Sequence, residues 1–170
     1  MKIKYILAGI LFILPITTAS PLIDSDPAVS FYRLLKSNHR NNRYSDTHLF
    51  NTTAAFMDAI KKYRIPYEIA KQVVFEESRG YLRARSAKDA KGLMQVQEDT
   101  KDHYEWVTKK KIKSIWWPSE NVEVGCWYLS LCKKCTGSWD SALIAYNIGL
   151  NAWKRYQFGR GYAKRVLQEG

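Results

Sequence analysis

The chain has 170 residues and carries 27 lysines and arginines against 16 aspartates and glutamates, a formal charge of +11. That length builds one compact domain with an ordinary core and excludes a multidomain assembly. The basic balance favours polyanionic partners: nucleic acid, acidic lipid headgroups or an anionic cell wall. In chain order, Met1-Lys2-Ile3-Lys4 and the apolar run Tyr5–Ile16 have the charge-then-hydrophobe order of a secretory signal, and Thr17-Thr18-Ala19 supplies small residues for cleavage after Ala19. The run is short for a transmembrane helix, so the alternative, and the chain's one route to a membrane, is an uncleaved signal anchor. Either way the domain is exported. Without Lys2 and Lys4 the formal charge is +9, that is +11 less two lysines. Export argues against nucleic acid as a partner, and the basic residues are scattered without forming a basic arm.

Residues 20–47 are polar, with Pro21, Pro27 and the stretch Asn38–Asn42, and read as an N-terminal extension holding a short helix over Val29–Lys36. The main domain spans 48–170. Thr53–Tyr63 places Phe56, Met57 and Ile60 at helical spacing, and Pro66 opens the next helix, which runs to Ser78 and stops at Gly80. Tyr81–Lys91 has no helical stripe and reads as a loop. Helical pattern resumes over Leu93–Tyr104. Trp116-Trp117-Pro118 breaks it again, with Ser119 as the expected N-cap of a helix carrying Val122, Cys126, Leu129 and Leu131. A short helix over Ser141–Asn147 stops near Gly149, and a last one covers Tyr162–Gln168. Strand alternation and internal repeats are missing from the sequence, so the class is mainly α.

The three cysteines, Cys126, Cys132 and Cys135, fall in one short segment. In an oxidising compartment two of them are expected to pair, and the spacing leaves open which two. Cys132-Lys133-Lys134-Cys135 has no second half-motif, and His39, His48 and His103 lack ligand spacing, so no metal and no cofactor is expected.

One acidic residue stands out. Along the helix ending at Ser78, taking Ile69 as zero, Ala70, Val73 and Val74 fall at about 100°, 40° and 140°, and Glu77 at about 80°, in the middle of that apolar stripe. Glu76 lies about a quarter-turn off it and reads as a surface carboxylate. A carboxyl on the buried side of a helix end loses solvation, so its pKa rises toward that of a general acid at neutral pH. Six tryptophans is a high number for this length, and aromatic faces stack on sugar rings. Most read as core, with Trp116-Trp117 the exposed candidate.

Several motifs then occur in order: Glu77-Ser78; Ala84, Ser86 and Ala90; Gly92-Leu93-Met94-Gln95-Val96 with Thr100; Asn121, Gly125, Tyr128 and Leu129; Ala142 to Gly149 around Tyr146-Asn147; and Tyr162 with Val166-Leu167. Over about residues 55–168 the chain resembles the lytic transglycosylases with the goose-type lysozyme-like fold. It departs from their pattern at Asp89, where a glycine is common, and at Glu98 and Leu150, where prolines are frequent.

The resemblance implies a single lysozyme-like catalytic domain acting on peptidoglycan glycan strands. Glu77 would protonate the leaving oxygen of the MurNAc-β-1,4-GlcNAc bond, with the N-acetyl group of the muramic sugar assisting. Glu77 would then act as base on that sugar's own 6-hydroxyl, giving a 1,6-anhydro end without water and without a second carboxylate. Tyr162 would hydrogen-bond Glu77. Ser78, Met94, Gln95, Tyr146 and Asn147 would contact substrate, Met94 through its backbone. Local wall opening for a secretion or conjugation apparatus and stand-alone wall remodelling are both compatible. The competing readings are a lysozyme-type hydrolase that uses water and a non-catalytic glycan-binding or docking module on the same fold.

Overall fold

The structure, a computed structural model, describes residues 26–39 and 44–156. The signal segment 1–19 and the closing helix expected over Tyr162–Gln168 lie outside the described residues. Six helices follow in order: α1 (Pro27–Asn38), α2 (Asp46–Lys62), α3 (Tyr67–Ser78), α4 (Glu98–Thr108), α5 (Pro118–Thr136) and α6 (Trp139–Ile148). A further helical stretch covers 150–156. The described residues form no β-strand, only isolated bridges in the loop between α3 and α4.

Helix α5 is the axis of the domain. Val122, Val124, Cys126, Trp127 and Leu129 are all buried on it, and a helix apolar around most of its circumference belongs inside a core. It packs against α2, α4 and α6. Helix α1 lies within the expected extension, yet Phe31 and Leu35 are fully buried in the main core. The Phe31 ring stacks on Phe56 of α2, centroids 3.8 Å apart. The extension is therefore a working part of the hydrophobic core.

Two local expectations change. Leu93–Gln97 is a tight loop, and α4 begins only at Glu98, because Lys91 and Val96 exchange backbone hydrogen bonds and Gln95 has φ +47°, which ends any helical path there. At α5 the cap is Trp117, with Pro118 in the first helical position and Ser119 already inside the first turn. Two of the three positions that depart from the family pattern also gain a reason. Asp89 holds the left-handed φ of +60° that favours glycine, and Glu98 puts an acid in the positive first turn of α4.

The expected disulfide is not formed: Cys126 and Cys132 are buried free thiols and Cys135 an exposed one. All three lie on α5, where Cys126 is about 9 Å along the axis from Cys132 and about 13 Å from Cys135, beyond the Cα separation a disulfide spans. Cys132, one turn from Cys135, is instead packed with Ala142 and Ala145 of α6.

Between α2, α4 and α5 lies a polar cluster that the sequence did not announce. The Glu123 carboxylate accepts hydrogen bonds from Tyr104 Oη (2.7 Å) and Tyr63 Oη (2.8 Å), and pairs with Lys62 and, at 3.7 Å, Lys110. Burial pushes its pKa up, but the bonds from Lys62, Tyr104 and Tyr63 outweigh this and hold it below the usual glutamate range. A folded pKa below the unfolded one gives stability that is present above the unfolded pKa and lost as pH falls through the folded value. Glu123→Ala should cost about 1–3 kcal/mol in urea unfolding at neutral pH by orphaning the two phenols. The gap between wild type and variant should narrow at acid pH; a constant gap would refute the assignment.

Candidate active site

Glu77 occupies the last turn of α3. The helix stops two residues later, where Arg79 (φ +55°) and Gly80 (φ +82°) turn left-handed. Ser78 is part of that stop: its hydroxyl donates to the Val74 carbonyl (3.0 Å) and accepts the Gly80 N–H (3.1 Å). Glu76 is exposed, accepts a hydrogen bond from Gln72 and lies 3.9 Å from Arg79. Glu77 is half-buried, and burial first, then the adjacent Glu76 charge, raises its pKa above the ordinary glutamate value. The helix arithmetic thus separates the two acids in the way the structure does.

Glu77 opens on a cleft of about 460 Å³. Its walls come from the α3–α4 loop (Ser86, Lys88, Ala90), the turn before α4 (Gln95, Gln97), Tyr128 of α5, and Tyr146 and Asn147 of α6. Among the described residues that line it, Glu77 is the one carboxylate.

The turn 91–96 is pinned from below by Asn121, which is wholly buried. Its Oδ1 accepts the Met94 N–H (2.9 Å), and its Nδ2 donates to the carbonyls of Lys91 (2.7 Å) and Ile115 (2.8 Å). Gly92 has φ +73°, and a Cβ there would meet the Asn121 amide at 2.5 Å, so only glycine lets the turn sit on this asparagine. A Cβ on Gly125 would meet Met94 at 2.6 Å, so that second glycine makes room for the buried methionine. Asn121, Gly125 and Tyr128 fall at helical spacing on α5, and this one face makes the floor of the site.

From above, Tyr146 closes the arrangement: its hydroxyl donates to the Met94 carbonyl at 2.7 Å. Burial and the nearby Glu77 charge hold its pKa well above the usual tyrosine value, so it stays a neutral donor. Gln95 donates from Nε2 to the Gly92 carbonyl (3.0 Å) while lining the cleft.

The structure therefore brings Glu77, Gln95, Tyr146 and Asn147 together around one cavity and places Ser78 and Met94 behind its wall, as the helix stop and a fully buried core side chain. Tyr162 lies outside the described residues. Tyr128 and Lys88 line the cleft without having been singled out. The spacing from Asn121 through Gly125 pointed at Tyr128, but nothing in the sequence distinguishes Lys88 from other surface lysines. Its neighbours Arg85 and Lys91 are neutralised, by Asp89 at 2.6 Å and by Glu98 at 2.8 Å respectively, whereas Lys88 has no ion-pair partner among the described residues. The cleft therefore carries one carboxyl of raised pKa and one unpaired ammonium among the described residues.

Residues 54–166 match the family model of the transglycosylase SLT domain. The chain belongs to that family. The SLT domain match covers every cleft-lining residue named above and gives the helical architecture a lysozyme-like fold. SLT domains are in general peptidoglycan lytic transglycosylases that act in the periplasm or envelope. No curated protein is significantly similar to the chain.

Proposed function

We propose that the protein is an exported lytic transglycosylase that cuts the MurNAc-β-1,4-GlcNAc bond of peptidoglycan and leaves 1,6-anhydro-MurNAc ends. The observation that carries this reading is the single half-buried carboxyl of the cleft, Glu77, with a raised pKa. One such group protonates the leaving oxygen while protonated and, once ionised, takes the proton from the sugar's own 6-hydroxyl. Proton bookkeeping closes on Glu77 alone, so the second carboxylate that most glycosidases use has no step left to perform. Gln95 and Asn147 present amides to the N-acetyl sugars, and Tyr146 holds the Met94 backbone at the cleft wall. Tyr162 is assigned to the hydrogen bond that sets Glu77's protonation. The cell envelope is the setting, and both local wall opening for an envelope-spanning apparatus and stand-alone wall remodelling fit this activity.

The test is mass analysis of products from purified peptidoglycan. Anhydro ends, lighter than reducing ends by one water, are the expected result. Reducing ends alone would make the enzyme a hydrolase. No cleavage at all would leave a glycan-binding module.

A further inference from the structure

A second cavity, of about 400 Å³, shares no lining residue with the cleft. It lies between the start of α2, the head of the α3–α4 loop and the segment leading into α5. Its walls are aromatic: Trp116 and Trp117 on one side, and on the other Tyr44 and His48, whose rings stack 5.2 Å apart. Trp117 is 49% exposed, with Lys113 Nζ 5.5 Å from its ring centre, and Lys91 Nζ lies 5.8 Å from that of Trp116.

Two polar groups line the same cavity without a partner. The Arg83 guanidinium and the Asn51 amide have no hydrogen bond or ion pair among the described residues. This sets Arg83 apart from its neighbours Arg79, which lies 3.9 Å from Glu76, and Arg85, which is paired with Asp89. An arginine left unpaired in a cavity with one exposed and one half-buried indole is a recognition element: the fork fits a carboxylate in bidentate fashion, and an indole fits the apolar face of a sugar. The volume falls within the range of small-ligand clefts.

We propose that this cavity is a second saccharide site, taking a sugar ring that bears a carboxylate away from the bond cut at Glu77. Muramic acid residues of glycan stripped of its peptide stems supply that group, so the inference rests on peptidoglycan being the substrate. Trp117 stacks on the ring, Arg83 holds the carboxylate and Asn51 meets the N-acetyl amide. One strand engaged at both cavities would be held during successive cuts, because the second contact is intramolecular once the first is made.

The test uses the full chain carrying Glu77→Gln, so that the strand is not cut, and measures binding of peptide-free glycan strands by calorimetry. Trp117→Ala and Arg83→Gln should each weaken binding of long strands about tenfold, the scale of an exposed aromatic or arginine anchor. Both side chains are exposed, and Trp117→Phe, which keeps a ring, should retain most of the affinity. Chitin oligosaccharides, which lack the carboxylate, should respond to Trp117→Ala and be indifferent to Arg83→Gln. Unchanged affinity of both variants for long strands, or tighter binding of a single-stranded oligonucleotide than of glycan at Trp117, would overturn the proposal. Binding is read separately from cleavage. Failure here with anhydro products intact removes only the second site. Sensitivity to Trp117 and Arg83 without any cleavage removes only the catalytic reading.

Discussion

Glu77→Gln should lower kcat/KM on purified peptidoglycan by about 10²–10⁴-fold, the usual contribution of a positioned general acid, and leave the protein folded. The amide keeps the size of the side chain but has no proton to give. Its effect on stability should have the opposite sign from its effect on rate. Burial and Glu76 raise the pKa of Glu77, so the folded state holds this proton more tightly than the unfolded chain does. Stability then falls as pH rises from the unfolded pKa through the folded one, so above the unfolded pKa the carboxyl costs the fold stability relative to an uncharged side chain. Thermal melting of Glu77→Gln at neutral pH should therefore equal or exceed that of wild type. The pH profile of wild-type kcat/KM should fall on its alkaline side through the raised pKa of Glu77, because only the protonated form can donate. A variant with substantial residual activity, or one that unfolds, would show that Glu77 is a structural carboxylate and not the acid.

Asn121→Ala should be the most damaging single change outside the cleft lining. It orphans one buried donor, the Met94 N–H, and two acceptors, the carbonyls of Lys91 and Ile115. An unsatisfied buried backbone group costs about 1–3 kcal/mol, so the loss in urea unfolding should reach about 3 kcal/mol or more. Activity should fall further than stability explains, since the turn carrying Gln95 loses its anchor. Asn121→Asp restores only the acceptor facing Met94 and aims a second oxygen at carbonyls, so it should rescue little. A loss below about 1 kcal/mol for Asn121→Ala would mean that water replaces the amide at this position.

These two residues also show where the sequence was legible. Glu77 was readable because a helix maps spacing onto direction: four apolar neighbours fix the buried side, and the acid either lies on it or does not. The same periodicity located α2, α3, α5 and α6. It failed at 93–97, where a loop is closed by Lys91–Val96 hydrogen bonds and held by Asn121, whose contacts to Met94 and Lys91 cross 27 and 30 residues of chain. It missed the Glu123 cluster for the same reason, since Tyr63, Tyr104 and Glu123 meet only after α2, α4 and α5 have packed. The disulfide expectation rested on cysteine counting, which ignores that all three thiols ride on one helix: its rise keeps Cys126 too far from Cys132 and Cys135, and Cys132 and Cys135, one turn apart, are free thiols.

The face of α5 that carries Asn121, Gly125 and Tyr128 belongs to the most deeply buried helix of the domain. The wall opposite Glu77 therefore takes its stiffness from the centre of the molecule, although the turn itself is only a few residues long. The groups around the cleft are therefore set in place during folding, as a preorganised site requires. It follows that tolerance to sequence change should be distributed unusually: the exposed rim of the cleft can vary to suit different wall chemistries, while the stripe beneath it cannot change without loosening the core and the site together.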